Sequence, residues 1–391
     1  MPTQPRNPDF KMILALTLVH FIGDAYSSFV NPLLPVFADK FALSLTQIGL
    51  IAGINRLLAF VVQPSVGYLA DHYRTRFFIL CGPLLAIVFI PLVGIAPSFL
   101  VLLLFISIGS IGSSMFHPTV AGMVSTYAGS RLGLSMSVFN TGGTLAFGVG
   151  PLFIAYFVSA YGLEAAPYTM IFGLAVLVYL YRIVPRPQGE GLKSFGFLGS
   201  LREAVGAVWR SIILIWFMMV LRAFVSQSFM TFVPVLYAQE GYALVSVGAI
   251  VSLFTVAGVL SGMMAGYLSD RFGEKKIFYS AYALATPCLY LLLYLPGRWV
   301  FVSAFLAGFS VMATLPLGVT LAQKIAPRGR SMVSSLMMGL AMGTGGMLTP
   351  LAGRLADLYS IRSVLMVVAL IPLCAMPLVG FLPEKPQAPE P

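Results

Sequence analysis

Charged side chains are sparse in this chain, with 13 acidic residues, 23 basic residues and three histidines among 391. Those that interrupt apolar runs mark where chemistry is expected. Holding a charge in a hydrocarbon medium costs roughly 2.5–3.5 kcal/mol even on insertion scales. His20 and Asp24 are four residues apart and so share one face of a helix, which Ser28 continues. Burial raises the proton affinity of a carboxylate and a nearby cation lowers it. A carboxylate that is alternately wet and paired can therefore load and release a proton. Asp24 is the first candidate for that task, with His20 one turn away to share the proton. The alternatives are an Asp24 permanently ionised against Arg56 or Arg222, and a His20 that only packs. His117, before the helix-kinking Pro118, is a third candidate for proton transfer or ligand contact. Arg56 and Arg222 stay charged when buried. Their planar guanidinium groups suit a carboxylate, phosphate or phosphonate. With His117, Asn140, Gln227 and Tyr26 they form the candidate ligand-binding set.

The elements that position these groups are long apolar helices. The chain is 59% hydrophobic and 9% charged, with mean hydropathy +0.93, against about 25% charged residues in soluble domains. A spanning helix needs about 20 apolar residues, and the apolar runs are continuous rather than alternating, which excludes a strand barrel. The expected fold class is all-α integral membrane, with twelve spans near 11–37, 46–70, 77–96, 98–126, 132–159, 166–184, 210–237, 244–269, 276–295, 299–324, 331–356 and 362–382. Two six-helix bundles follow, over 1–184 and 210–382. They are joined by a cytoplasmic linker over 185–209, with room for a short interfacial helix from Leu198 to Val208. The tail over 383–391 reads as disordered. The net charge of +10 is gathered in alternate loops, while the opposite loops hold Lys40, Arg298, Arg354 and Arg362. This bias places both termini in the cytoplasm, with anionic lipid as sufficient partner for the bases. Cys81, Cys288 and Cys374 sit alone in apolar runs and suggest neither a disulfide framework nor a metal centre. The methionines read as adaptable packing. Neither a cleavable signal peptide nor an ATP-binding loop is evident, and no cofactor, metal, nucleic-acid partner or catalytic residue is expected.

The chain also repeats itself. Gly67-Tyr68-Leu69-Ala70-Asp71-His72-Tyr73-Arg74-Thr75-Arg76 returns as Gly266-Tyr267-Leu268-Ser269-Asp270-Arg271-Phe272-Gly273-Glu274-Lys275, 199 residues later. Pro35 and Pro234, Gly49 and Gly248, and Pro151 and Pro350 keep that offset, so one fold unit is used twice. These charged turns are the candidate gates: Gly67 for close helix approach, Asp71 and Asp270 for capping or pairing, and Arg74, Arg76, Arg271 and Lys275 for holding the loops, with Gly266 repeating Gly67. Kinks are expected at Pro118, Pro151, Pro316 and Pro350.

The doubled turn resembles the loop between helices two and three of the major facilitator superfamily and its repeat between helices eight and nine. Arg74 stands where that family usually has glycine. His20-Phe21-Ile22-Gly23-Asp24-Ala25-Tyr26, Pro32-Leu33-Leu34-Pro35 and Phe116-His117-Pro118 with Ala121 resemble the first and fourth helices of the fosmidomycin-resistance branch. Gly150-Pro151 resembles part of the antiporter motif, although Phe153 and Ile154 replace its terminal glycine pair. The resemblance implies a bacterial inner-membrane efflux protein that exports a small organic solute, such as the phosphonate anion fosmidomycin, by proton antiport and alternating access. In that reading it acts as a monomer and not as an enzyme. A proton symporter or facilitator that imports an organic anion or sugar, and a non-transporting membrane sensor, stay open as alternatives.

Overall fold

The computed structural model describes residues 7–72, 76–129, 131–185, 206, 208–326, 333 and 336–383. The interfacial helix expected from Leu198 and the polar tail lie outside the described residues. Among those described, the secondary structure is helical without strands. The helices are α1 (Phe10–Ser27), α2 (Val30–Phe41), α3 (Leu45–His72), α4 (Phe77–Leu92), α5 (Phe99–Tyr127), α6 (Leu132–Tyr161), α7 (Met170–Ile183), α8 (Trp209–Gln239), α9 (Leu244–Phe272), α10 (Glu274–Tyr294), α11 (Trp299–Met312), α12 (Thr314–Ile325), α13 (Met342–Met347), α14 (Thr349–Leu358), α15 (Ile361–Ala369) and α16 (Ile371–Ala375). Eleven segments among the described residues are long and apolar enough to cross a membrane, α1–α2 and α11–α12 each joining into one. The other expected span, over 331–356, consists of a π-helical stretch at Leu336–Ala341 followed by α13 and α14.

Helix starts follow local chemistry. Asp9 accepts from the Met12 amide at 3.1 Å to open α1. Ser98 accepts from Val101 at 3.4 Å to open α5, and Ser360 accepts from Ser363 at 3.1 Å to open α15. Ser44 and Gln47 form a reciprocal capping box before α3, with the Ser44 amide donating to Gln47 Oε1 at 2.9 Å and the Gln47 amide to Ser44 Oγ at 3.2 Å. The four expected kink prolines divide into two kinds. Pro118 and Pro151 lie inside the continuous helices α5 and α6. Pro316 and Pro350 lie in the first turns of α12 and α14, just past breaks at Ala313 and Leu348. A first turn needs no amide donor from proline, so the break costs little there.

The chain divides into two compact units. The first comprises Met1–Ala42, Val61–Leu192 and Tyr237–Ser252. The second comprises Leu43–Phe60, Lys193–Leu236 and Leu253–Pro391. A division at the linker alone would not exchange Leu43–Phe60 and Tyr237–Ser252. Glycine and proline explain the exchange. In the second unit, a side chain at Gly49 of α3 would meet the Thr349 carbonyl at 2.8 Å and Pro350 Cα at 2.9 Å. In the first unit, a side chain at Gly248 of α9 would meet the Pro151 carbonyl at 2.8 Å. Both glycines, like both prolines, are 199 residues apart. The repeat therefore preserves contacts as well as residue types.

Asp357 fastens the α3–α14 contact inside the second unit. Its Oδ1 accepts from the Leu45 amide at 2.7 Å, and its Oδ2 accepts from the Thr46 amide at 3.0 Å and the Thr46 hydroxyl at 2.5 Å. Partial desolvation alone would raise the Asp357 carboxyl, but the Thr46 hydroxyl and the two amides outweigh it and hold it below the usual carboxylate range. A lowered folded pKa stabilises the fold above the ordinary carboxylate value of about 3.9. That contribution is lost as pH falls through the lower folded value. Asp357→Ala is expected to cost roughly 0.5–2 kcal/mol, as loss of a helix cap does. Thermal unfolding of the purified protein at neutral pH checks this, and the difference from wild type should shrink below about pH 4 as the wild-type carboxyl becomes protonated.

Candidate functional site

In the first unit, α1 supplies His20 and Asp24, α5 supplies His117, and α6 packs beside both. All three side chains converge. His20 Nε2 lies 3.1 Å from Asp24 Oδ2, and His117 Nε2 lies 3.2 Å from Asp24 Oδ1. Asp24 is 3% exposed and His20 8%, while the His117 side chain is 30% exposed and its approach leaves Asp24 Oδ1 without a formed hydrogen bond. Each imidazole is fixed from behind. His20 Nδ1 meets the Phe139 carbonyl at 3.0 Å and His117 Nδ1 meets the Ser113 carbonyl at 2.6 Å. Aromatic rings clamp the imidazole planes, with Phe139 stacked on His20 and Phe116 stacked on His117, each at a centroid distance of 4.2 Å. The ion-pair partners of Asp24 among the described residues are the two histidines of its own unit, while Arg56 and Arg222, weighed as its partners from the sequence, belong to the second unit.

Glycine makes this convergence possible. A Cβ at Gly143 of α6 would fall inside contact distance of His20 Nε2 and 2.9 Å from Asp24 Oδ2. Gly150 faces Ser28 and the Ala25 carbonyl in the same way, and Ser28 donates to that carbonyl at 2.7 Å. Gly143 thus leaves room for the polar cluster. The ligating atoms of His20, Asp24 and His117 lie within 4.8 Å of one another. Two imidazoles and a carboxylate are a donor set of the kind a divalent ion accepts, a grouping that their spacing in the chain does not announce.

The second unit holds a different polar centre. Arg222 of α8 is 4% exposed. Its Nη1 approaches Met312 Sδ at 3.6 Å, while Nε and Nη2 find no hydrogen-bond acceptor. The Tyr282 hydroxyl of α10, also buried, is likewise unsatisfied, and both residues line one small cavity with Val225, Val311 and Pro372. Arg56 of α3 donates through Nε to Gln227 Oε1 at 2.7 Å, and Gln227 Nε2 donates to Thr231 Oγ1 at 3.2 Å. Unmet donors around a buried guanidinium are costly unless an acceptor arrives. Sequence reasoning named Arg222, Arg56 and Gln227 but not Tyr282, because one tyrosine among 17 carries no signal until the fold sets it beside an arginine.

The remaining expected residues fall elsewhere. Tyr26 is buried, donates to the Thr169 carbonyl at 2.5 Å and accepts from the Gly173 amide at 3.0 Å. Its hydroxyl is thus spent inside the fold, which assigns it to packing instead of ligand contact. Asn140 is exposed on α6. The side chains of Asp71 and Arg74, and the surroundings of Gly67, lie outside the described residues. Arg76 donates to the Tyr181 carbonyl at 3.2 Å and lies over the Tyr181 ring. In the second copy of the turn, Lys324 bridges Asp270 at 3.7 Å and Glu274 at 2.5 Å. Arg271 covers the Tyr267 ring, and Lys275 donates to the Gly380 carbonyl at 3.2 Å. A side chain at Gly266 would meet nothing within 4 Å, so close helix approach is not its reason.

A bundle of apolar helices with a carboxylate–imidazole cluster in one unit and a buried arginine in the other is in keeping with a multi-pass membrane transporter. The Major Facilitator Superfamily profile matches residues 16–350 and 215–391, and the chain belongs to that family. It is 28% identical over 392 residues to the fosmidomycin resistance protein of Escherichia coli (strain K12), covering 98% of this chain and 95% of the relative. It is 27% identical over 317 residues to the multidrug resistance protein MdtG of Citrobacter koseri, covering 77% of each. Its fold matches a bacterial homologue of the human lysosomal transporter Spinster, in an inward-facing and occupied conformation, with a TM-score of 0.79 at 17% identity over 95% of this chain and 96% of the other. The nucleoside transporter NupG matches with a TM-score of 0.71 at 14% identity over 95% and 98%.

Gly143→Ala is expected to destabilise by roughly 1–3 kcal/mol, the usual cost of overpacking. Gly122→Ala on α5, where a Cβ meets nothing within 4 Å, should not. Thermal unfolding of the two purified variants side by side makes the comparison.

Proposed function

We propose that this protein exports a small organic solute by proton antiport and alternating access. The observation that carries the reading is the His20–Asp24–His117 cluster, in which a buried carboxylate touches two imidazoles inside the helix bundle. Such a cluster changes charge without changing partners. The names of the relatives, fosmidomycin resistance and multidrug resistance, support the export direction. The unmet guanidinium donors of Arg222, with Tyr282 beside them, favour a solute that carries a carboxylate, phosphate or phosphonate. Arg56, held by Gln227, contributes a second positive charge in the same unit. The Lys324 bridge to Asp270 and Glu274 serves in this reading as a latch at the second charged turn. The charge bias of the loops supports cytoplasmic termini and the bacterial relatives support the inner membrane; in this reading the protein is a monomer in contact with anionic lipid.

Proteoliposomes loaded with a pH-sensitive dye test the proposal, with fosmidomycin and a panel of small anions as solutes. Wild type should move protons in exchange for solute. Asp24→Asn should abolish solute-driven proton movement, and Arg222→Lys should weaken the apparent affinity for an anionic solute about tenfold, the loss of one strong charge-assisted contact of about 1.4 kcal/mol. Solute flux without proton movement would leave a facilitator. Proton movement in the same direction as the solute would make the protein a symporter. No flux of any solute would favour a sensor.

A further inference from the structure

The main chain decides where the two imidazoles point their lone pairs. A backbone carbonyl only accepts, so His20 Nδ1 at the Phe139 carbonyl and His117 Nδ1 at the Ser113 carbonyl each carry a hydrogen. In the neutral ring, Nε2 is then a bare lone pair. Both lone pairs converge on Asp24, His20 at 3.1 Å from Oδ2 and His117 at 3.2 Å from Oδ1. Oδ1 is buried and forms no hydrogen bond. Three electron-pair donors therefore meet at one place, and such donors repel unless a cation joins them.

We infer that His20, Asp24 and His117 form a binding site for one divalent d-block cation of the zinc class, held by both Nε2 atoms and the Asp24 carboxylate. Distance supports it. A tetrahedral ion with bonds of about 2.0–2.1 Å sets neighbouring ligand atoms about 3.3–3.4 Å apart. The two nitrogen–oxygen separations fall just short of that, and all the ligating atoms lie within 4.8 Å of one another. The His117 side chain, partly exposed, has the freedom to close what remains between the nitrogens. Orientation supports it too. Histidines that bind metal donate their other ring N–H to a carbonyl or carboxylate, which fixes the tautomer and the ring. Both histidines do so here, to main-chain carbonyls. Finally, α6 leaves room: a Cβ at Gly143 would press on His20 Nε2 and lie 2.9 Å from Asp24 Oδ2.

The donor set narrows the ion. Two imidazoles with one carboxylate suit zinc, nickel, cobalt or copper, whereas magnesium and calcium take sets of oxygens. Three protein ligands leave a coordination position open, which marks an exchangeable ion rather than a closed structural one. Among the described residues no second group of three His, Cys, Asp or Glu side chains gathers in this way. Cys81, Cys288 and Cys374 are free and sit on three different helices, α4, α10 and α16. The inference goes beyond the proton-coupling reading and does not need it, because binding asks only for the lone pairs.

Untagged full-length protein in lipid nanodiscs is titrated at about pH 8, where free imidazole is neutral, with ZnCl2 against a chromophoric zinc indicator and with CoCl2 read by its visible absorption. Wild type is expected to bind one ion per chain. His20→Gln, Asp24→Asn and His117→Gln should each lower the affinity about 100-fold or more, since loss of a group that merely orients such a ligand already costs about 10–100-fold. Cys374→Ser should leave it unchanged. Zinc X-ray absorption on the wild-type protein asks no variant to fold, and should show two imidazoles and no sulfur bound to the ion. Failure of wild type to bind one ion per chain overturns the inference. So does sulfur bound to the ion, or an affinity that survives Asp24→Asn and His117→Gln combined. The proteoliposome assay judges the coupling reading separately. With free metal removed by a chelator, solute-driven proton movement upholds that reading whatever the titration gives. Its absence sinks the coupling, while one-to-one zinc binding keeps the site.

Discussion

The constraint on which this structure depends is that a charge held away from water must be answered by the protein itself. Asp24 is answered by two imidazoles, and the imidazoles by two carbonyls and two aromatic rings. Each layer narrows the freedom of the next. The carbonyls fix which nitrogen is protonated, the rings fix the planes, and the carboxylate then meets both remaining nitrogens at once. The backbone geometry that allows this is costly in side chains. Gly143 has none because α6 must lie against the cluster, and Gly23 has none because the Phe116 ring occupies its place. The polar centre and the glycine-rich packing around it are one design.

The same economy governs the scaffold. A glycine in one helix admits a proline turn of another, at Gly49 with Pro350 and at Gly248 with Pro151. Backbone-to-backbone approach of this kind gives membrane helices the van der Waals contact that hydrophobic burial does not supply in lipid. Side chains then finish what the backbone begins: Asp357 caps two amides and a hydroxyl at the start of α3, and the Ser44–Gln47 box satisfies that helix end from within.

Much of this is legible from the chain because lipid enforces simple rules. Long apolar runs become helices, the 199-residue offset becomes a repeated fold, and His20 with Asp24 becomes one helix face. His117 is 93 residues further along than Asp24, and no local rule sets it on the other carboxylate oxygen. Only the crossing of α1 with α5 does that. Tyr282 is silent for the same reason. Tyr26 misleads, because its place in the His20–Tyr26 stretch suggests ligand contact, while its hydroxyl is satisfied by Thr169 and Gly173. Sequence reports periodicity and the cost of burial well. It reports poorly which of several buried polar groups already has a partner.

The repeat itself separates scaffold from chemistry. Moving 199 residues along the chain takes Gly49 to Gly248 and Pro151 to Pro350, so packing is kept. The same step takes His20 to Met219, Asp24 to Ala223, Gly23 to Arg222, Ser28 to Gln227 and Arg56 to Thr255. Met219 and Ala223 are buried apolar residues in the second unit, so the fold is content with no charge at those places. The acid and the histidine in the first unit, and the arginine in the second, are therefore additions that the architecture does not require. A buried charge that packing does not need, and whose removal packing would tolerate, is retained for what it exchanges. That argument favours chemistry over packing as the reason for the acid and histidine in one copy of the fold and for the arginine in the other.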